Sequence, residues 1–162
     1  VFETNSPSMD IQIASNFERL VYDLNNCDDS ATQKIMTNIK EEGKYIIPKN
    51  KMEKINKDFL SASMNENEVL DTIKEVYTKY DIILDPHSAI GFGALSKINI
   101  DGNNIVLVTA HPCKFPDAID KSIGIKPGLP DELKYIMNEK ENYDIISNNL
   151  RTTQKYIKEK IQ

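Results

Sequence analysis

The apolar residues of this chain recur at two spacings, and each spacing predicts a different element. Ile13, Phe17, Leu20, Val21 and Leu24 return every three or four residues, which predicts an amphipathic helix from Ile11 to about Asn25, with Asp10 placed as its cap. A polar break over Asn26–Asp29 ends it. Ser30 is the next cap, and Ile35, Met36 and Ile39 mark a second helix that Gly43 stops. Pro48 biases Ile47 away from helix, so Lys44–Ile47 reads as a short strand or extended piece before a short helix over Lys51–Lys57. Phe59–Met64 is another extended piece. Asn65, with Glu68 three residues on, forms a capping-box pattern ahead of Val69, Leu70, Ile73, Val76, Tyr77 and Tyr80.

In the second half the apolar runs become continuous and short. Ile82–Leu84 reads as a brief buried strand, and Asp85-Pro86 then starts a helix with a cap followed by proline, continuing through Ser88–Leu95. A turn over Ile98–Asn104, containing Asp101-Gly102, leads to the strongest strand pattern, Ile105–Thr109. Helices are predicted over Lys114–Ile123, ending at Gly124, over Pro130–Asn138 and over Asn149–Ile161, with Tyr143–Ile146 extended between the last two. Gly124–Pro130 reads as a surface loop rather than a domain boundary. Helices separated by short apolar strands imply an α/β fold with a mainly parallel sheet flanked by helices.

Composition narrows the functional classes. A length of 162 residues suits a single domain with a real core, and a net charge of −5 without a basic patch excludes binding to nucleic acid. No apolar run is long enough to span a membrane, and no basic and then apolar leader opens the chain. Cys27 and Cys113 do not suggest a disulfide framework, so a reduced cytoplasmic compartment is expected. The Lys- and Asn-rich faces over Lys49–Lys57 and Lys155–Lys160 read as solvated surface.

Chemistry concentrates where the strongest strand ends, in Thr109-Ala110-His111-Pro112-Cys113-Lys114-Phe115. Ligands of open α/β sheets sit at such carboxyl ends, although on the residues alone a strand-end threonine bonded only to backbone is the favoured reading. His87, His111 and Cys113 lack the paired spacing and ligand number of a zinc site, so no metal is expected, and each histidine should position a loop by hydrogen bonding. Cys113 reads as a small apolar filler. Ser88, Ala89, Gly91, Gly93 and Ala94 keep one helix slim, for close approach to a sheet or flat ligand, or for packing alone. Asn16 and Arg19 lie three apart on a helix flank. Arginine suits bidentate carboxylate or phosphate recognition, and a solvated surface position is the alternative.

Three stretches, in order, resemble the threonine synthase family of pyridoxal-phosphate enzymes. Ser6-Pro7-Ser8-Met9-Asp10-Ile11, running into Ser15-Asn16-Phe17-Glu18-Arg19-Leu20, is similar to its Ser-Pro-x-Met-Asp-Ile...Ser-Asn-Phe-Glu-Arg-Leu. Asp85-Pro86-His87-Ser88-Ala89-Ile90-Gly91 is similar to Asp-Pro-His-Thr-Ala-Val-Gly, and the Thr109–Phe115 heptapeptide to Thr-Ala-His-Pro-x-Lys-Phe. Leu129-Pro130-Asp131-Glu132-Leu133 echoes a weaker Leu-Pro-x-Glu-Leu beyond them.

The resemblance implies the C-terminal part of a fold-type II pyridoxal-phosphate enzyme that converts O-phospho-L-homoserine and water to L-threonine and phosphate. It implies that residues 1–162 form a single domain or fragment lacking the upstream cofactor-lysine region, so the chain alone carries no catalytic residue and is expected to be inactive and not to retain pyridoxal phosphate. A start at Val1-Phe2-Glu3 fits a fragment or processed product, and Val1–Ser8 are then expected to be mobile or rearranged. Thr109 is implied as the cofactor-binding hydroxyl that meets the pyridine nitrogen, and Asn16 and Arg19 as substrate contacts. The slim helix resembles the one that related dehydratases place near the pyridine ring. A dehydratase-like lyase and a non-catalytic binding or oligomerisation domain of the same fold remain the alternatives.

Overall fold

The computed structural model describes residues 3–98 and 100–161. Val1 and Phe2 of the amino-terminal stretch, and Asn99 of the predicted turn, lie outside the described residues. Seven α-helices are described: α1 (Ser15–Leu24), α2 (Asp29–Glu42), α3 (Lys49–Asp58), α4 (Glu66–Tyr80), α5 (Pro86–Ala94), α6 (Pro116–Ile123) and α7 (Leu150–Ile161). Short 3₁₀ turns cover Pro7–Met9, Pro112–Lys114 and Asp131–Asn138. None of these helices is long and apolar enough to cross a membrane.

The chain divides into two compact units, Val1–Gly128 and Leu129–Gln162. The division falls inside Gly124–Pro130, expected to be a loop within one domain. In the first unit, Val69, Ile73 and Val76 of α4 join Leu84, Ala89 of α5 and Ile119 of α6 in a buried core. Ser122 of α6 ties to this layer by donating its hydroxyl to Leu70 O at 2.6 Å. In the second unit the 3₁₀ turn and α7 bury no residue, and Asp144 accepts from the Tyr156 hydroxyl and pairs with Lys160 at 3.2 Å.

Most helix ends follow from local chemistry. The Asn65 capping box forms in full: Glu68 N–H donates to Asn65 Oδ1 at 3.0 Å, and Asn65 N–H donates to Glu68 Oε2 at 2.7 Å. Gly43 and Gly124 close α2 and α6 in the left-handed region, each at φ +70°, where a side chain would be strained. Two caps differ from expectation. Asp28 rather than Ser30 caps α2, accepting from Ala31 N–H at 3.0 Å. Asp10 does not cap α1, which starts at Ser15, because its carboxylate accepts both the N–H and the hydroxyl of Thr4 at 2.8 Å.

The mainly parallel sheet does not form: no strand occurs among the described residues. A strand exists only as half of a ladder, and Lys44–Ile47, Ile82–Leu84 and Ile105–Thr109 form none with one another. Ile105, Leu107 and Val108 are therefore 88%, 74% and 70% exposed. Only Val106 turns inward, lying 3.3 Å from where a Cβ on Gly91 of α5 would stand.

The two glycines of α5 differ in what they can tolerate. A Cβ on Gly93 would meet Met64 and stand 2.9 Å from Thr72 Oγ1. The Met64 tip can swing aside. Thr72 is buried and its hydroxyl is committed to Glu68 O at 2.8 Å. We expect Gly93→Ala to destabilise the chain by about 1–3 kcal/mol in denaturant unfolding, an overpacking cost that exceeds the helix-propensity gain. Gly91→Ala meets only the exposed segment's Val106 and should be neutral or slightly stabilising.

Glu68 generates a second prediction. A hydrogen bond from Lys97, at 2.6 Å, and another from Asn65 N–H hold its carboxyl below the ordinary value of 4.5. A carboxyl lowered on folding stabilises the native state above its unfolded value, and that contribution is lost as pH falls through the folded value. Glu68→Gln keeps a capping acceptor but not the charge. The stability gap between wild type and Glu68→Gln should therefore be present at about pH 7 and close towards about pH 3 in parallel melts.

Candidate functional site

The buried carboxylate of Asp85 is the centre from which the site is built. Asp85 is 0% exposed and caps α5, with Oδ1 accepting from His87 N–H at 2.9 Å. The same oxygen lies 3.0 Å from His87 Nδ1, and Oδ2 accepts from the Ser88 hydroxyl. Such charge-assisted bonds compensate a carboxylate removed from water.

His87 extends this centre to the amino-terminal segment. Ser8 N–H donates to His87 Nε2 at 3.1 Å. An accepting Nε2 places the ring proton on Nδ1, where it donates to Asp85. The His87 ring packs against Phe115 with centroids 4.7 Å apart and planes at 55°. Ser88 extends the centre in another direction, accepting Thr109 N–H on Oγ at 3.1 Å. The segments Ser6–Ser8, Asp85–Ser88 and Thr109–Phe115, far apart in sequence, thus meet around one carboxylate.

Each histidine does what was expected of it. His87 positions the Ser8 segment, and His111 Nδ1 accepts from Cys113 N–H at 3.2 Å, capping the Pro112–Lys114 turn. The amino-terminal stretch is a correction: Asn5 bonds to Glu66 through its N–H at 2.9 Å and through its side-chain amide, Ser6 is buried, and Ser8 is held by His87. The described part of Val1–Ser8 is docked by specific polar contacts, which the absence of helical periodicity did not reveal. Ser6 Oγ is fully buried without a hydrogen-bond partner among the described residues.

Thr109 is exposed, and among the described residues its hydroxyl makes no hydrogen bond. Arg19 lines an open groove of about 700 Å³ between α1 and α2, with Tyr22, Gln33 and Lys40. Asn16 is exposed on the same helix but does not line that groove, and its Oδ1 accepts from Phe17 N–H at 2.9 Å. The structure brings neither Asn16 nor Arg19 into a hydrogen bond with the other or with Thr109. Sequence reasoning missed Asp85 and Ser88 as the anchors of Thr109. The signal was an aspartate cap with serine three residues later, the spacing that puts a cap and a hydroxyl in the same first turn.

Residues 88–157 match the family model described as threonine synthase, C-terminal. Threonine synthase of Pseudomonas aeruginosa is 35% identical over 155 residues, covering 94% of this chain and 33% of that protein. Threonine synthase of Saccharomyces cerevisiae is 36% identical over 171 residues, covering 90% and 33% respectively. Among solved structures, the crystal structure of pyridoxal-phosphate-bound threonine synthase from Brucella melitensis superposes with a TM-score of 0.77 at 37% identity, over 98% of this chain and 34% of that one. The chain spans about a third of the length of these relatives. Nearly the whole chain is thus similar to about a third of a threonine synthase, and residues 88–157 to the part that the family model describes as C-terminal.

Proposed function

We propose that this chain forms the C-terminal wall of the active site of an enzyme that makes L-threonine and phosphate from O-phospho-L-homoserine and water. The observation that carries the reading is the convergence of three separate motif segments on Asp85, which leaves the Thr109 hydroxyl exposed beside a tethered backbone N–H. The test is production of the complete polypeptide and assay of threonine and inorganic phosphate released together from O-phosphohomoserine. A polypeptide that releases phosphate without forming threonine would support a dehydratase-like lyase instead.

Pyridoxal phosphate suits this wall. Thr109 offers an accessible neutral hydroxyl that can meet a ring nitrogen, whereas the Asp85 carboxylate, reached from Thr109 through Ser88, is engaged with His87 and Ser88. When bound, the cofactor supplies the electron sink needed for loss of phosphate from Cγ and addition of water at Cβ. A neutral partner leaves the pyridine ring largely unprotonated, so Thr109 would moderate that sink rather than drive it. No residue of this chain is assigned as the cofactor lysine.

In the same reading, Arg19 and Asn16 contact the anionic groups of the substrate, Arg19 through its guanidinium fork. The extended segment Ile105–Thr109 joins the parallel sheet of the fold-type II architecture when the rest of the polypeptide is present. The reaction belongs to the cytoplasm.

Two substitutions in the complete enzyme test these roles. Thr109→Ser keeps a donor and acceptor and should retain most activity. Thr109→Val removes the hydroxyl and should cost about 1–3 kcal/mol, or roughly tenfold to a hundredfold in turnover and cofactor affinity, with little change in melting temperature. Unchanged turnover, cofactor binding and cofactor absorbance in Thr109→Val would remove Thr109 from the site. For Arg19→Gln we expect KM for O-phosphohomoserine to rise about tenfold or more while kcat changes less, the signature of lost uniform binding. An unchanged KM would return Arg19 to the solvated surface.

A further inference from the structure

The hydrogen bonds at the end of the extended segment have a direction. Thr109 N–H donates to Ser88 Oγ at 3.1 Å, and the Ser88 hydroxyl donates in turn to Asp85 Oδ2. Ser88 is 1% exposed. A serine hydroxyl has one hydrogen to give and lone pairs with which to accept. Asp85, an acceptor fixed by His87 and by its place at the α5 cap, draws that hydrogen inward. Only lone pairs then face Thr109, so the relay can hold a backbone N–H there and cannot hold a carbonyl. Donation to the carboxylate also polarises the hydroxyl and strengthens its acceptance. Among the described residues Thr109 makes no other hydrogen bond.

The geometry points to Ser88 as the positioning residue of Thr109: it fixes the backbone of the residue that meets the cofactor ring, in a polarity that Asp85 dictates. This rests on the reading of Thr109 given above. Ser88 does not touch the cofactor. It acts by fixing where the Thr109 backbone stands, and with it the distance from which the hydroxyl can reach a ring nitrogen. Thr72 provides an internal contrast, since its buried hydroxyl donates to Glu68 O inside its own helix and tethers no other segment. Ser88 reaches across twenty-one positions of sequence to the exposed end of the extended segment.

The test uses the complete enzyme loaded with pyridoxal phosphate, with Ser88→Ala, Ser88→Thr and Thr109→Val made singly and Ser88→Ala also combined with Thr109→Val. The readouts are the absorbance maximum and emission of the bound cofactor, its dissociation constant, and kcat and KM. We expect Ser88→Ala to move the cofactor band in the direction that Thr109→Val moves it, to lower kcat about tenfold, and to change KM for O-phosphohomoserine by less than about twofold. Ser88→Thr, which restores the hydroxyl, should restore band and turnover. Because Ser88 acts through Thr109, Ser88→Ala should add little in the Thr109→Val background. A wild-type band and turnover in Ser88→Ala, alongside a displaced band in Thr109→Val, overturns the role of Ser88 while leaving Thr109 in place. Full additivity of the two changes overturns it as well. An unmoved band in Thr109→Val overturns the reading of Thr109, and the inference about Ser88 falls with it. If Ser88→Ala does not fold, Ser88→Cys keeps a polar group at the same position but is a much poorer acceptor. An intermediate band shift then supports the role, and a wild-type band overturns it.

Discussion

Everything in the candidate site depends on the burial of one carboxylate. Placing Asp85 out of water would cost several kcal/mol if its oxygens were left bare, and each of them is met by a donor from its own helical turn or from the His87 ring. The cap makes this economical in sequence, because His87 N–H, the His87 ring and the Ser88 hydroxyl all arrive within three residues of the aspartate. Both side chains then have capacity to spare. His87 accepts Ser8 N–H and Ser88 accepts Thr109 N–H, so an interaction local to one turn fixes two distant segments. Removal of the carboxylate would leave buried donors on two side chains without an acceptor, which is a larger loss than the cap alone.

The slim face of α5 completes this arrangement. Gly93 lets the helix lie against Thr72 and Met64 of the α4 region, while Gly91 admits Val106 from the extended segment. The small residues were open to two readings, close approach to a ligand or ordinary packing. Packing accounts for both glycines, and the approach it permits is that of the chain carrying Thr109. The helix thus serves the site by its thinness on one side and by its capped first turn at one end.

Local signals were legible in the sequence and partnership was not. The Asn65 capping box, the Asp85-Pro86 start and the Gly43 and Gly124 stops rest on chemistry within a few residues, and all four formed as read. Asp10 was read as the cap of α1 and is not, because the donors its carboxylate accepts, on Thr4, lie before it rather than after it. The runs Ile82–Leu84 and Ile105–Thr109 have strand composition, but composition specifies a preference and a ladder requires a neighbour. In the candidate site, the three motifs were visible as separate stretches. Their meeting point was not, because no periodicity records that Ser8 N–H will find His87 or that Thr109 N–H will find Ser88. The docking of the amino-terminal stretch was missed for the same reason.

The exposed faces of Ile105, Leu107 and Val108 bear on how well Thr109 can be placed. Each large apolar side chain left in water forgoes about 1.5–3 kcal/mol of burial. The segment is therefore anchored at one end by a hydrogen bond to Ser88 and along its length by the single inward contact of Val106 with α5. A tether at the last residue restrains where Thr109 sits but restrains its rotation less, since an isolated extended segment can twist about its own axis. Pairing with a neighbouring strand would remove that freedom by fixing which side chains face each side of the sheet. The proposed active-site wall is then a two-part construction. The Asp85–Ser88 relay sets the position of Thr109, and a ladder with a neighbouring strand in a longer polypeptide would set the direction in which its hydroxyl points.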